Sequence, residues 1–86
     1  MTYHIKYSPL FNWKILERVP RDHLKRIRAA ISQKLTTQPD FFGKPLRGSL
    51  LGMRSLRVGD YRVLFSIQKT DVSIIDIGQR ATIYER

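Results

Sequence analysis

The sequence predicts an α+β fold, in which a helical hairpin packs on one face of an antiparallel sheet. Three patterns predict it. Leu24, Ile27, Ile31 and Leu35 recur at intervals of three, four and four residues, the apolar stripe of an amphipathic helix. Between Met53 and Ile77, three runs rich in apolar and β-branched residues are separated by Gly59-Asp60 and by Lys69-Thr70-Asp71. Strands joined by turns that short must run antiparallel. Tyr3, Ile5 and Tyr7 alternate with His4 and Lys6, a period-two strand at the start of the chain. The predicted order is β-α-α-β-β-β, and residues 1–86 read as one domain.

Each element follows from local chemistry. Ser8-Pro9 suits a helix N-cap followed by proline at the first helical position, which predicts a short helix from Pro9 to about Arg18. Its inward residues would be Leu10, Trp13 and Leu16 or Ile15, with Trp13 in the core. Pro20 ends that helix and starts the next, which carries the apolar stripe to about Thr36 and stops before Pro39. Its outer face shows Arg21, Lys25, Arg28 and Lys34. The stretch from Gln38 to Gly52 holds Pro39, Gly43, Pro45, Gly48 and Gly52 and reads as loop. Strands are predicted over Met53–Val58, Tyr61–Gln68 and Val72–Ile77, and a short tail from Gln79 to Arg86 packs against the sheet.

Composition narrows the function classes. With no cysteine there is neither a disulfide framework nor a thiolate metal site, as expected of a reducing compartment. No apolar run approaches the ~18 residues of a membrane span, and the N-terminus lacks a signal-peptide pattern. A cytoplasmic protein is expected. The net charge of +9 is shared by both halves: residues 1–43 carry 8 basic and 3 acidic side chains, residues 44–86 carry 8 and 4. The folded body itself is therefore cationic, which suits a polyanionic or acidic partner.

Alternation assigns the charges to faces. Tyr61, Val63, Phe65 and Ile67 are the apolar set and should face the helices; Arg62, Leu64 and Ser66 then face away. On the preceding strand Arg54, Leu56 and Val58 share one face and Met53, Ser55 and Arg57 the other. Arg57 and Arg62 should converge near the hairpin turn on the face away from the helices, with Arg80 in reach. That convergence follows from strand parity, and a β-bulge would undo it.

These residues resemble the RelE/ParE superfamily of toxins from type II toxin–antitoxin pairs. Lys44-Pro45-Leu46-Arg47-Gly48 is similar to the family's K-x-L-x-G segment. Gly52 through Arg62 is similar to its G-x-x-x-x-R-V-G-D-Y-R hairpin, and Gly78, Arg80 and Tyr84 to its G-[HK]-R-x-x-x-Y terminus. The resemblance implies a RelE-like fold, a cognate antitoxin that wraps the toxin, and a toxin–antitoxin complex of higher order. For RelE-type members it implies an mRNA endoribonuclease acting in the ribosomal A site, by attack of a 2′-hydroxyl on its neighbouring phosphate, without metal or cofactor. For ParE-type members it implies a non-enzymatic inhibitor of DNA gyrase. A catalytically weak homologue that only binds its antitoxin is the third reading.

The nuclease reaction needs a base for the 2′-OH proton, cations for the phosphorane and an acid for the departing 5′-oxygen. The resemblance implies catalytic roles for Arg57, Arg62 and Arg80, whose guanidinium groups bind phosphate oxygens through paired hydrogen bonds. It implies that Tyr84 stacks on or orients substrate. A phenol titrates near ~10 in water, and neighbouring arginines would draw that value down. Lys44, Arg47 and Arg54 are assigned to nucleic acid, either mRNA or 16S ribosomal RNA. Two positions depart from the nuclease pattern: Gln79 and Ser55 stand where several members have proton-exchanging or basic residues. Lys44 is the amine left within reach. His4 and His23 have no partner at ligand or triad spacing and read as surface histidines, and no metal cluster is present.

Overall fold

The computed structural model describes residues 2–80. The chain begins with β1 (His4–Tyr7), a 3-10 helix (Trp13–Arg18) and α1 (Arg21–Ala30), which continues as a π-helical stretch (Ile31–Leu35). Then come α2 (Pro39–Phe42), β2 (Lys44–Pro45), a 3-10 turn (Gly48–Leu50), β3 (Arg54–Val58), β4 (Tyr61–Gln68) and β5 (Asp71–Gln79). The strands form one sheet in the order β1-β5-β4-β3-β2. The α+β class with helices on one face is the architecture observed.

The sheet is mixed rather than wholly antiparallel. β3, β4 and β5 form an antiparallel meander through tight turns, but β1 pairs with β5 in parallel, with Ile5 opposite Val72 and Tyr7 opposite Ile74. Only strands linked by tight turns are forced antiparallel. The helices separate β1 from the meander, so its direction is unconstrained by any turn.

The core lies between α1 and one sheet face. Ile27, Ile31 and Leu35 pack against Val63, Phe65, Val72, Ile74 and Ile77. The stripe reads as expected because residues four apart stack on one helical face.

The first helical segment departs from expectation. It is a 3-10 helix capped by Asn12, whose Oδ1 accepts from the Lys14 N–H at 3.1 Å, rather than an α-helix capped by Ser8. Ser8 instead closes a turn, accepting from the Phe11 N–H through its carbonyl and from the Leu10 N–H through Oγ. The shift rotates the segment. Leu10 is 90% exposed, Phe11 takes the buried place, and Trp13 is 57% exposed. The Trp13 ring lies against Tyr7 and Phe11, with centroids 4.7 and 4.9 Å away.

The Gln38–Gly52 stretch also holds more structure than a loop. Pro39 opens the four-residue α2, and β2 pairs with β3, Lys44 opposite Ser55 and Pro45 opposite Arg54. Both elements are too short to leave a periodic signal. Arg54 fastens them. Its Nη1 donates to the carbonyl oxygens of Asp40 (3.1 Å) and Gly43 (2.9 Å) at the end of α2. Hydrogen bonds to charged groups contribute about 1.5–3 kcal/mol. Arg54→Ala should therefore lower the melting temperature. An unaltered melting curve would contradict this bracing role.

The β5 strand carries a bulge. Leu64 pairs with Asp76 but Phe65 pairs with Ile74, so Ile75 is an extra residue. Val72 and Ile74 face the helices. Strict alternation would send Asp76, Gly78 and Arg80 the same way. The extra residue reverses them, and Ile77 becomes the buried residue opposite Val63. The bulge leaves the Arg57–Arg62 pairing intact and turns the end of β5 toward the Arg62 side.

Candidate functional site

The sheet face turned away from the helices is a grid of side chains fixed by strand register. One row crosses it as Lys44, Ser55, Leu64 and Asp76. The next row, nearer the hairpin tip, reads Arg57, Arg62 and Gly78. Adjacent strands lie ~4.8 Å apart, and residues two apart along a strand are ~6.6–6.8 Å apart. Beyond these rows, the Arg80 N–H donates to the Asp60 carbonyl at 2.8 Å, tying the end of β5 to the tip. Alternation past Gly78 assigns Arg80 to the Arg62 side.

Arg57 and Arg62 stand directly opposite each other. Like charges in that relation repel. Arg62 is braced: its Nη1 donates to Ser55 Oγ at 3.2 Å, and Ser55 is only 2% exposed. The Arg62 Nε is buried without a hydrogen-bond partner. Arg57 is exposed, and its Nε donates to the Gly59 carbonyl at 3.2 Å. Among the described residues one ion pair is found, joining Lys6 Nζ to Asp71 Oδ2 at 3.1 Å, far from the hairpin tip. This face therefore carries two arginines on directly opposed strand positions.

The other sequence-predicted residues divide. Lys44 is exposed and, being opposite Ser55, belongs to the same face. Arg47 lies past the end of β2 and, with Lys44, Pro45, Leu46 and Leu51, lines an open hollow at the sheet edge. Arg54 is on the opposite face, occupied by α2. Tyr84 lies outside the described residues. Gln79 is exposed and pairs with Tyr61, which puts it on the helix side of the sheet. His4 is exposed; His23 is half-buried, with its ring 5.3 Å from that of Tyr61. Among the described residues no three His, Asp or Glu side chains cluster as a metal site, and no helix is long and apolar enough to cross a membrane. Two features escaped the sequence reading. Asp76 joins the cationic face through the bulge, and Arg26 of α1 reaches the hairpin tip.

Comparison with known proteins places this arrangement. The family described as "ParE toxin of type II toxin-antitoxin system, parDE" matches residues 5–84. The chain belongs to the RelE/ParE superfamily of toxins. Two curated relatives are from Mycobacterium tuberculosis. One, Toxin RelE, is 37% identical over 71 residues, which cover 80% of this chain and 73% of the relative. The other, Toxin RelG, is 42% identical over 67 residues, covering 71% and 77%. Among solved structures, the RelBE2 toxin–antitoxin complex of M. tuberculosis superposes with a TM-score of 0.83 at 30% identity, covering 94% of each chain. The RelB–RelE antitoxin–toxin complex of Methanococcus jannaschii gives 0.68 at 25% identity, covering 93% of this chain and 95% of that one. This chain is thus a type II toxin–antitoxin toxin, and its superfamily neighbours include toxins solved with their antitoxins.

Proposed function

We propose that this toxin is a ribosome-dependent mRNA endoribonuclease of the RelE type, working in the cytoplasm and silenced by a cognate antitoxin. The observation that carries this reading is the Arg57–Arg62 cross-strand pair, two arginines directly opposite each other on neighbouring strands. A phosphate between them would relieve their repulsion and accept paired hydrogen bonds. As the 2′-oxygen attacks, negative charge on the phosphorus oxygens grows, so cations fixed beforehand stabilise the transition state more than the ground state. Ser55 supplies that fixity by holding one edge of Arg62.

Proton transfer falls to other groups. Lys44 shares the face with Arg57 and Arg62 and is the amine available to it. Tyr84 is proposed to stack on or orient the substrate. Arg80, tethered at the hairpin tip, is proposed to meet the charge on the leaving side, and Arg47 to hold flanking RNA at the β2 edge. Arg54, engaged by α2, is not a member of this set. The ribosome supplies the substrate in a fixed geometry, which lessens what a small domain must do. Exposed Leu10, Trp13, Phe41 and Leu51 are apolar surface that a bound antitoxin would remove from water.

The second reading, a ParE-like gyrase inhibitor, is favoured by the family description and by Gln79 and Ser55, neither of which exchanges protons readily. Inducible expression with primer extension on translated messages separates the two. Codon-positioned cuts that vanish in Arg62→Ala and Arg80→Ala support the nuclease. Growth arrest with intact messages and an SOS response supports gyrase.

Salt provides a further prediction. Each phosphate neutralised releases counterions, with a slope of about −0.7 per contact for single strands. Affinity for programmed ribosomes should fall steeply with salt, and a flat response would remove phosphate contact from the account.

A further inference from the structure

Arg26 has no place in the catalytic set above, yet it reaches the same turn. Gly59 sits at the β3–β4 tip with φ +61°. A Cβ built there would stand 3.4 Å from Arg26 Nη2, 3.5 Å from Nη1 and 3.6 Å from Cζ. The end of the guanidinium therefore covers the turn from α1. Arg57 holds the same residue from the sheet through its bond to the Gly59 carbonyl. Two cations from distant elements bracket one glycine.

No described carboxylate compensates them. Asp22, one helical turn before Arg26, and Asp60, next to Gly59, form no ion pair with it. The placement is anchored, because His23, three residues earlier on α1, packs its ring 5.3 Å from that of buried Tyr61 at the start of β4. Arg26 itself is exposed. An exposed guanidinium that pairs with no described carboxylate, at a turn held by a second arginine, has unspent attraction for an anion.

We infer that Arg26 and Arg57 form a second phosphate site, which carries the backbone of the cleaved RNA strand around the hairpin tip onto α1. The inference rests on the nuclease reading and deepens it. The scissile phosphate lies at Arg57 and Arg62, and the neighbouring phosphate passes between Arg57 and Arg26. Arg26 is a binding residue here, outside the reacting atoms.

The test uses the full-length toxin and ribosomes programmed with mRNA. Cleavage of normal message gives kcat and KM, and binding to 2′-O-methyl message gives affinity against monovalent salt. Arg26→Ala should raise KM about tenfold with kcat nearly unchanged, and should flatten the salt slope by about 0.7, the value of one single-strand phosphate contact. Arg26→Lys should keep most of the slope. Thermal melts and antitoxin binding of each variant report on folding, and a purely structural arginine would change the melt without changing the slope. Wild-type KM and slope in Arg26→Ala, alongside impaired cleavage in Arg62→Ala, would overturn this inference and leave the nuclease reading standing. If the wild-type toxin itself leaves message intact, the nuclease reading fails, and the inference with it.

Discussion

Arg62→Ala should reduce cleavage of ribosome-bound mRNA by about 10²–10³-fold, the usual loss when one preorganised transition-state donor is removed. The effect should fall chiefly on kcat. Arg62 is held before substrate arrives, by the bond from Nη1 to the buried Ser55 Oγ, so its contribution grows as phosphorane charge develops. Arg62→Lys should recover little, since an ammonium cannot donate to Ser55 and grip a phosphate with a planar fork. Removing Arg62 also relieves repulsion with Arg57, so the variant should fold and bind antitoxin. Single-turnover cleavage checks the prediction, and a kcat within a few-fold of wild type would take Arg62 out of the chemistry.

Gly43→Ala should be more destabilising than the same change at Gly48, Gly52 or Gly59. A Cβ at this position would stand 2.2 Å from Phe65 Cζ, 2.8 Å from Cε1 and 2.9 Å from the Pro39 carbonyl oxygen. Phe65 is fully buried and cannot swing aside without opening the core. Overpacking costs about 1–3 kcal/mol and sometimes more, and each kcal/mol lowers the melting temperature of a domain this size by roughly 4–8 °C. The strain would also reach the site. Gly43 precedes Lys44, and its carbonyl accepts from Arg54, so pushing α2 away would loosen β2 and with it Lys44. Gly52→Ala is the matched control. Gly52 has φ +93° but nothing within 4 Å of its added Cβ, so only backbone strain, about 1–2 kcal/mol, opposes the change. Equal melting temperatures for the two variants would contradict the account of Gly43.

Both predictions depend on register, and much of the register was legible. Gly59-Asp60 between two alternating runs set Arg57 opposite Arg62, because a two-residue turn leaves one pairing in which the apolar sides agree. The four-residue spacing of Ile27, Ile31 and Leu35 placed the helical layer. Other features had no local signal. The parallel partner of β1 is chosen by where the meander ends, and no turn encodes that. Asn12 competed with Ser8 as a cap, and both are good caps, so the rotation that exposes Trp13 was invisible. The bulge at Ile75 left a faint trace: buried Ile74 and Ile77 are three apart, which alternation cannot accommodate without an extra residue. Arg26 looked like any outward arginine on a helix, and only packing of α1 against the Tyr61 end of β4 brings it to the tip.

The most direct test of the central claim is the chemistry of the cut end. Purified toxin is added to ribosomes programmed with a defined message, and the new 3′ terminus is analysed. The Arg57–Arg62 face, acting on a 2′-oxygen attack, predicts cuts in the A-site codon that end in a 2′,3′-cyclic phosphate and require both arginines. Intact message, or cuts ending in a 3′-hydroxyl that persist without those arginines, would contradict it.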